Sequence, residues 1–199
     1  KAYVDALEAK LIALEARITA LEPLPPLPIA KVGDFLHGGV VFWVDPTDNT
    51  HGLVVAIEDQ GTAQWETCLP GYNYGTSFSN GSVNTGLINS QCADPNIASK
   101  LCASYSKTIL GVTYNDWFLP SYDEWGLIIS SNIYIIDATA VTNGGSVFER
   151  NGLYWTSSEE SGGRNAMKVL FDAISEYQGR LFPEENRRRV LNVRAVRAF

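Results

Sequence analysis

From Val4 onward the apolar residues of the N-terminal segment fall at Val4, Leu7, Leu11, Leu14, Ile18 and Leu21, with spacings that alternate three and four without a miss. That is a heptad seam, and it predicts a helix over residues 1–22 whose a and d positions face a partner helix. Val4, Leu11 and Ile18 take a; Leu7, Leu14 and Leu21 take d. Lys10 and Arg17 then fall at g and Glu8, Glu15 and Glu22 at e, so each g cation precedes an e acid by five residues. In a parallel coiled coil this sets Lys10 against Glu15, and Arg17 against Glu22, of the neighbouring chain. A helix packed on its own domain shows a wider apolar stripe and no such matched charges.

Chain number draws on two signals. β-Branched residues at two of the three a positions lean towards a dimer. "RITALE", Arg17 to Glu22, instead resembles the short trimerisation motif of parallel coiled coils, in which the Arg stem covers the seam and its guanidinium grips the neighbour's Glu. The segment is read as a parallel homotrimer built on Val4, Leu7, Leu11, Leu14, Arg17, Ile18, Leu21 and Glu22. Fewer than three heptads are marginal alone in water, so the domains that follow are expected to touch as well. Pro23, Pro25, Pro26 and Pro28 make residues 23–30 a stiff, extended linker.

Residues 31–199 suit one compact domain. "GGVVFWVD" and "HGLVVAIED" are β-branched runs joined by the turn-rich "PTDNT" and predict a hairpin. Gln60 to Gln91 is rich in Gly, Asn, Ser and Thr and reads as a long ordered loop or irregular strands, anchored by Trp65, Tyr72, Tyr74 and Phe78. A helix is expected near Pro95 to Tyr105, with Asp94 as cap, Pro95 in the first turn and Ile97, Leu101 and Tyr105 on one face. A second follows "WFLPS", where Ser121 and Glu124 form a capping box and Trp125, Ile128 and Ile129 supply the buried side. "GLYWTSSE", "NAMKVLFD" and "VLNVRAVRAF" read as strands. The plan is α+β, about two helices among many short strands.

No apolar run approaches a membrane span and no signal peptide is visible. A chain beginning at Lys1 is expected to be a fragment or processed product. The net charge of −7 is unevenly spread. Lys1 to Glu159 carries seven basic and seventeen acidic residues, whereas Glu160 to Phe199 carries eight and five. The basic island consists of Arg164, Lys168, Arg180, Arg187, Arg188, Arg189, Arg194 and Arg197. Cys68, Cys92 and Cys102 match no zinc-site spacing. A Cys92–Cys102 disulfide is expected, tying the helix to the loop before it, with three buried free thiols as the alternative.

"GGVVFWVD" with "HGLVVA", then "NDWFLPSYDEW", "YWTSSE" and "VRAVRAF", resemble in that order a bacterial surface domain family of unknown function, across nearly all of residues 31–199. "DWFLPS" and "VRAVRAF" are its most specific parts. The family is similar in fold to C-type lectins and to the sulfatase-modifying factors, and it occurs at the C-terminal end of collagen-like adhesins. The resemblance therefore implies a C-type-lectin-like domain at the bacterial surface or secreted, with a part in attachment and biofilm through sulfated glycosaminoglycans such as heparin. No Gly-X-Y repeat is present, so any collagen-like stalk would lie upstream of Lys1.

Sulfated chains offer closely spaced fixed anions, and planar, always-charged guanidinium groups suit them. Arg187, Arg188 and Arg189 of "ENRRRV" are the first candidates for ligand binding, with Arg164, Lys168 and Arg180 behind them. A solvated turn neutralised by Glu184 and Glu185 is the plainer account of the same run. Arg194 and Arg197, three apart in an apolar strand, point to opposite faces, and at least one is expected to pair with a carboxylate such as Asp116, Asp123 or Glu124. Two histidines leave little for a catalytic triad and no pair of acids is marked out, so no enzyme is expected. Asp45 to Asn49 has the composition of a tight turn rather than a calcium loop, and neither a metal nor a cofactor is expected. The acidic bulk argues against nucleic acid as partner. The runner-up function is a structural cap on a trimeric stalk, without a ligand of its own.

Overall fold

The computed structural model describes residues 2–19, 29–68, 73–160, 163–171 and 180–199; side chains at residues 2, 16–19 and 180–184 lie outside that description. Helix α1 runs over Ala2–Thr19. Val4, Leu7, Leu11 and Leu14 stand between 51% and 60% exposed on the single chain, so their apolar seam has no cover among the described residues. The side chains of Arg17 and Ile18, and all of Leu21, Glu22 and linker residues 23–28, lie outside the described residues.

The hairpin predicted from "GGVVFWVD" and "HGLVVA" forms as β2 (Gly39–Val44) and β3 (Gly52–Ala56), paired antiparallel with a register shift between Val41 and Trp43. Between them Asp45 accepts from Thr47 N at 2.8 Å and Asp48 from Thr50 N at 3.1 Å, the side-chain turns that Asp favours. Strand β1 (Phe35–Leu36) flanks β2, and β11 (Val196–Ala198) flanks β3 to complete a four-stranded sheet. A second sheet has the order β4-β10-β7-β8-β9, from β4 (Gly61–Ala63), β7 (Leu153–Glu159), β8 (Asn165–Leu170), β9 (Arg180–Asn186) and β10 (Leu191–Val193). Strands β5 (Lys107–Ile109) and β6 (Val112–Tyr114) form a separate ribbon.

The α+β class is as expected, but the domain holds more helix than the sequence pattern suggests. Among the described residues it has α2 (Gly81–Gln91), α3 (Ala98–Ser104), α4 (Tyr122–Ser130) and α5 (Ile133–Thr142), where about two were expected. The capping box of α4 is present in full, with Ser121 Oγ accepting from Glu124 N and Glu124 accepting from Ser121 N at 2.7 Å. Helix α3 starts later than predicted. Asp94 does not cap it; that carboxylate takes Thr67 Oγ1 at 2.6 Å and Asn96 N at 2.8 Å. Helix α2 lies inside the segment read as loop or irregular strand. It is capped by Asn80, and its buried face is Gly81, Asn84, Thr85 and Ile88.

Strand β7, "LYWTSSE", is buried from Tyr154 to Glu159 and separates two apolar clusters. One gathers Trp65, Trp117 and Trp155; the other stacks Trp125, Phe148, Tyr154 and Phe171. Buried indoles need an acceptor for their N–H. Trp65 donates to Thr156 O at 2.8 Å, Trp125 to Trp155 O at 3.0 Å and Trp155 to Ala63 O at 2.9 Å, which ties α4, strand β4 and the segment after it to β7.

The disulfide differs from the expectation. Cys68 bonds Cys92, 24 residues apart, and Cys102 is a free, buried thiol. Cys92 ends α2 rather than lying in a loop, and Cys102 points from α3 into the core. Burial pushes the Cys102 thiol well above its usual range, which keeps it unreactive.

Candidate polyanion-binding surface

The antiparallel register of β8 and β9 distributes the basic island. Asn165 sits opposite Asn186 and Leu170 opposite Arg180. Arg164, just before β8, and the turn Arg187–Arg189, just after β9, therefore lie at the same end of the pair. Arg180 lies at the other, about 17 Å away for five residues of strand. Lys168 is between them, with its ammonium 2.6 Å from Glu185.

The three consecutive arginines have three different environments. Asn186 builds their turn: its side-chain oxygen accepts from Arg188 N at 2.9 Å and its carbonyl from Arg189 N at 2.9 Å. Arg187 folds inward and is only 2% exposed, which removes it from the ligand-binding candidates. Its guanidinium lies 4.5 Å from the Trp65 ring centre and 5.5 Å from that of Tyr74, and it pairs with Glu159. Glu159 also accepts from Tyr74 N at 3.0 Å and Thr76 N at 3.1 Å, so its buried charge is compensated by an ion pair and by backbone donors. Tyr74 donates to Glu66 at 3.4 Å, and burial, with the Glu66 charge beside it, pushes its phenol up to about 12.

Arg188 is exposed, with Nη2 at 3.5 Å from Thr67 O, the residue before the bonded Cys68. Arg189 is 53% exposed and shares Glu185 with Lys168. Burial pulls the Glu185 carboxyl upward, but Lys168 and the backbone donor of Asn186 outweigh it and hold the group below its usual range. Arg164 is exposed. Among the described residues neither Arg164 nor Arg188 forms an ion pair. The side chain of Arg180 lies outside the described residues. The arrangement offers two guanidinium groups outside any ion pair among the described residues and one partly neutralised group at one end of a sheet, which suits fixed anions.

The remaining arginines are structural. Arg197 pairs with Asp116, one of the expected carboxylates, and lies over Tyr114. Arg194, 1% exposed, pairs instead with Asp59 at 2.5 Å. It also donates to Ala56 O at 3.1 Å and Val147 O at 3.2 Å and lies over Phe148. Asp59, Glu66 and Glu159 were not singled out by sequence reading; no local pattern marks an acid whose partner lies elsewhere in the chain.

No family model and no curated protein matches the chain. Among solved structures, a fimbrial protein from Bacteroides ovatus is similar in fold, with a TM-score of 0.55 and 14% sequence identity over 79% of this chain and 43% of that one. The chain thus spans less than half the length of that structure, and at this identity the likeness is one of fold.

Proposed function

We propose that this chain is the ligand-binding end of a trimeric bacterial surface adhesin, and that it holds sulfated glycosaminoglycans through Arg188, Arg189 and Arg164. The observation that carries the reading is the gathering of these exposed cations at one end of the β8–β9 pair, with Arg188 and Arg164 outside any described ion pair. The ordered motifs from "GGVVFWVD" to "VRAVRAF" support it, since they resemble the C-terminal region of the Legionella collagen-like adhesin and its C-type-lectin-like fold. A fimbrial protein of similar fold is consistent with a place at the cell surface. Lys168 and Arg180 extend the track along the strands. The reading gives the chain no catalytic step, metal or cofactor.

The test is heparin binding by the variant R164E/R188E/R189E. Loss of binding is expected, with the melting temperature within a few degrees of wild type because exposed charges contribute little to folding. Wild-type affinity should fall steeply with salt, and the slope should flatten as arginines are removed. Binding at the wild-type level would reject the patch. A structural cap without a ligand is the second reading, favoured by Glu185, which already neutralises Lys168 and Arg189. It predicts no retention on heparin at physiological salt by an intact trimer.

A further inference from the structure

Two of the hairpins turn on the same unusual pair. In β1–β2 the turn is His37–Gly38 with φ of 51° and 84°; in β5–β6 it is Leu110–Gly111 with φ of 50° and 83°. Positive φ at both central residues marks the tight turn that favours Asn-Gly, and a non-glycine residue there needs a reason. His37 has one: its ring stacks on Phe199 at 4.7 Å and meets the edge of Tyr114 at 5.9 Å. Leu110 has none among the described residues. It is 100% exposed, and Val112 beside it is 53% exposed, on a ribbon paired with neither larger sheet.

A matching hollow lies at the same end of the domain. A pocket of about 350 Å³ is lined by Ile29, Leu36, His37 and Phe199, with Asn49 and Thr50 as its polar part. The ribbon and the pocket are neighbours, because Tyr114 at the ribbon's base touches His37. Ile29, 60% exposed, is also where the domain is tethered to α1. Residues 20–28 separate the two in sequence, and the ten steps from Thr19 to Ile29 can reach at most about 36 Å. On a parallel three-helix stalk, the pocket end of each domain therefore stays within that reach of the stalk's end.

We infer that Leu110 of one copy seats in the Ile29–Leu36–Phe199 pocket of the next, closing a ring of three domains. The inference rests on the trimeric reading of α1. Knob and pocket are different patches, so the contact is heterologous, and such a contact closes when the rotation between copies is one third of a turn. It also supplies the domain contact that a stalk of under three heptads needs.

Cysteines at the two patches test it in the full chain, since Cys68 and Cys92 are bonded and Cys102 is buried. Oxidised with copper phenanthroline, L110C/I29C should run as a covalent trimer on a non-reducing denaturing gel, and neither single variant should. A protein that sediments as a trimer but gives no inter-chain link, or links only within its own chain, overturns the ring and leaves the stalk standing. A wild-type chain that sediments as a monomer removes the trimeric reading and the ring with it. L110N suits the turn and removes the knob, so it should fold as well as wild type while weakening association by about tenfold. Unchanged association overturns the inference. Co-sedimentation of wild type with phosphatidylcholine vesicles, lost in L110N, would assign the tip to a lipid surface and overturn it too.

Discussion

Arg187 and Arg188 are adjacent in sequence and opposite in role. The turn at Asn186 sends one guanidinium onto Trp65 and Glu159 and leaves the other in solvent. Breaking a buried ion pair from one side leaves an uncompensated charge and costs about 3 to 5 kcal/mol. Arg187→Ala should therefore lower the melting temperature by on the order of 10 °C, given about 2–4 °C per kcal/mol at this size. Arg188→Ala should leave it nearly unchanged. Thermal unfolding of the two variants checks the assignment, and equal stability would return Arg187 to the surface. The sequence shows the basic run plainly, because charge density is local information. It does not show which arginine turns inward, since that depends on Trp65, Tyr74 and Glu159, brought together only by the folded chain.

At the scale of elements, legibility follows how local each signal is. The α4 capping box closes within four residues, and the β2–β3 hairpin is two apolar runs about one turn; both form as read. Helix α2 escapes because Gly81, Asn84 and Thr85 fill most of its buried face, so the apolar stripe that marks a helix is missing. The β-branched residues of α5, "IYIIDATAVT", carry strand propensity that tertiary packing overrides. The cysteine pairing depends on α2; without an apolar stripe to mark that helix, the sequence places Cys92 in a loop and favours Cys102 as its partner, whereas the folded chain pairs it with Cys68. A bridge between Cys68 and Cys92 closes a loop of 24 residues, worth about 3 kcal/mol through the unfolded chain. Replacing both with Ala should cost about that much in urea unfolding and displace Thr67, whose carbonyl touches Arg188. Peptide mapping without reduction should recover the Cys68–Cys92 pair and an alkylatable Cys102 only after unfolding. A Cys92–Cys102 peptide would reverse the assignment.

At the scale of the whole molecule, one domain presents few free cations, and a single weak patch on an acidic protein binds polyanions poorly. Three copies on one stalk would change that, because once one patch is held the others would meet the same chain at high effective concentration. In the proposed trimer the exposed seam of α1 at Val4, Leu7, Leu11 and Leu14 is what would bring them together; the helix over Ala2–Thr19 was legible because its three-and-four apolar spacing repeats within a few turns. Leu14→Asp should dissociate the assembly, since a carboxylate in the seam would be buried without a partner. The domain itself should survive, because its core lies within residues 30–199. Isothermal titration with a short heparin oligosaccharide should then give the same affinity per site for wild type and variant, as the patch lies on each domain. On immobilised heparin the variant should bind more weakly by on the order of a hundredfold. Equal binding in both assays would mean that each domain acts alone and the stalk serves only attachment. Loss in both would mean that the site is completed by a neighbouring copy, and R188E subunits mixed with wild type would then show whether the arginines of separate chains act on one ligand.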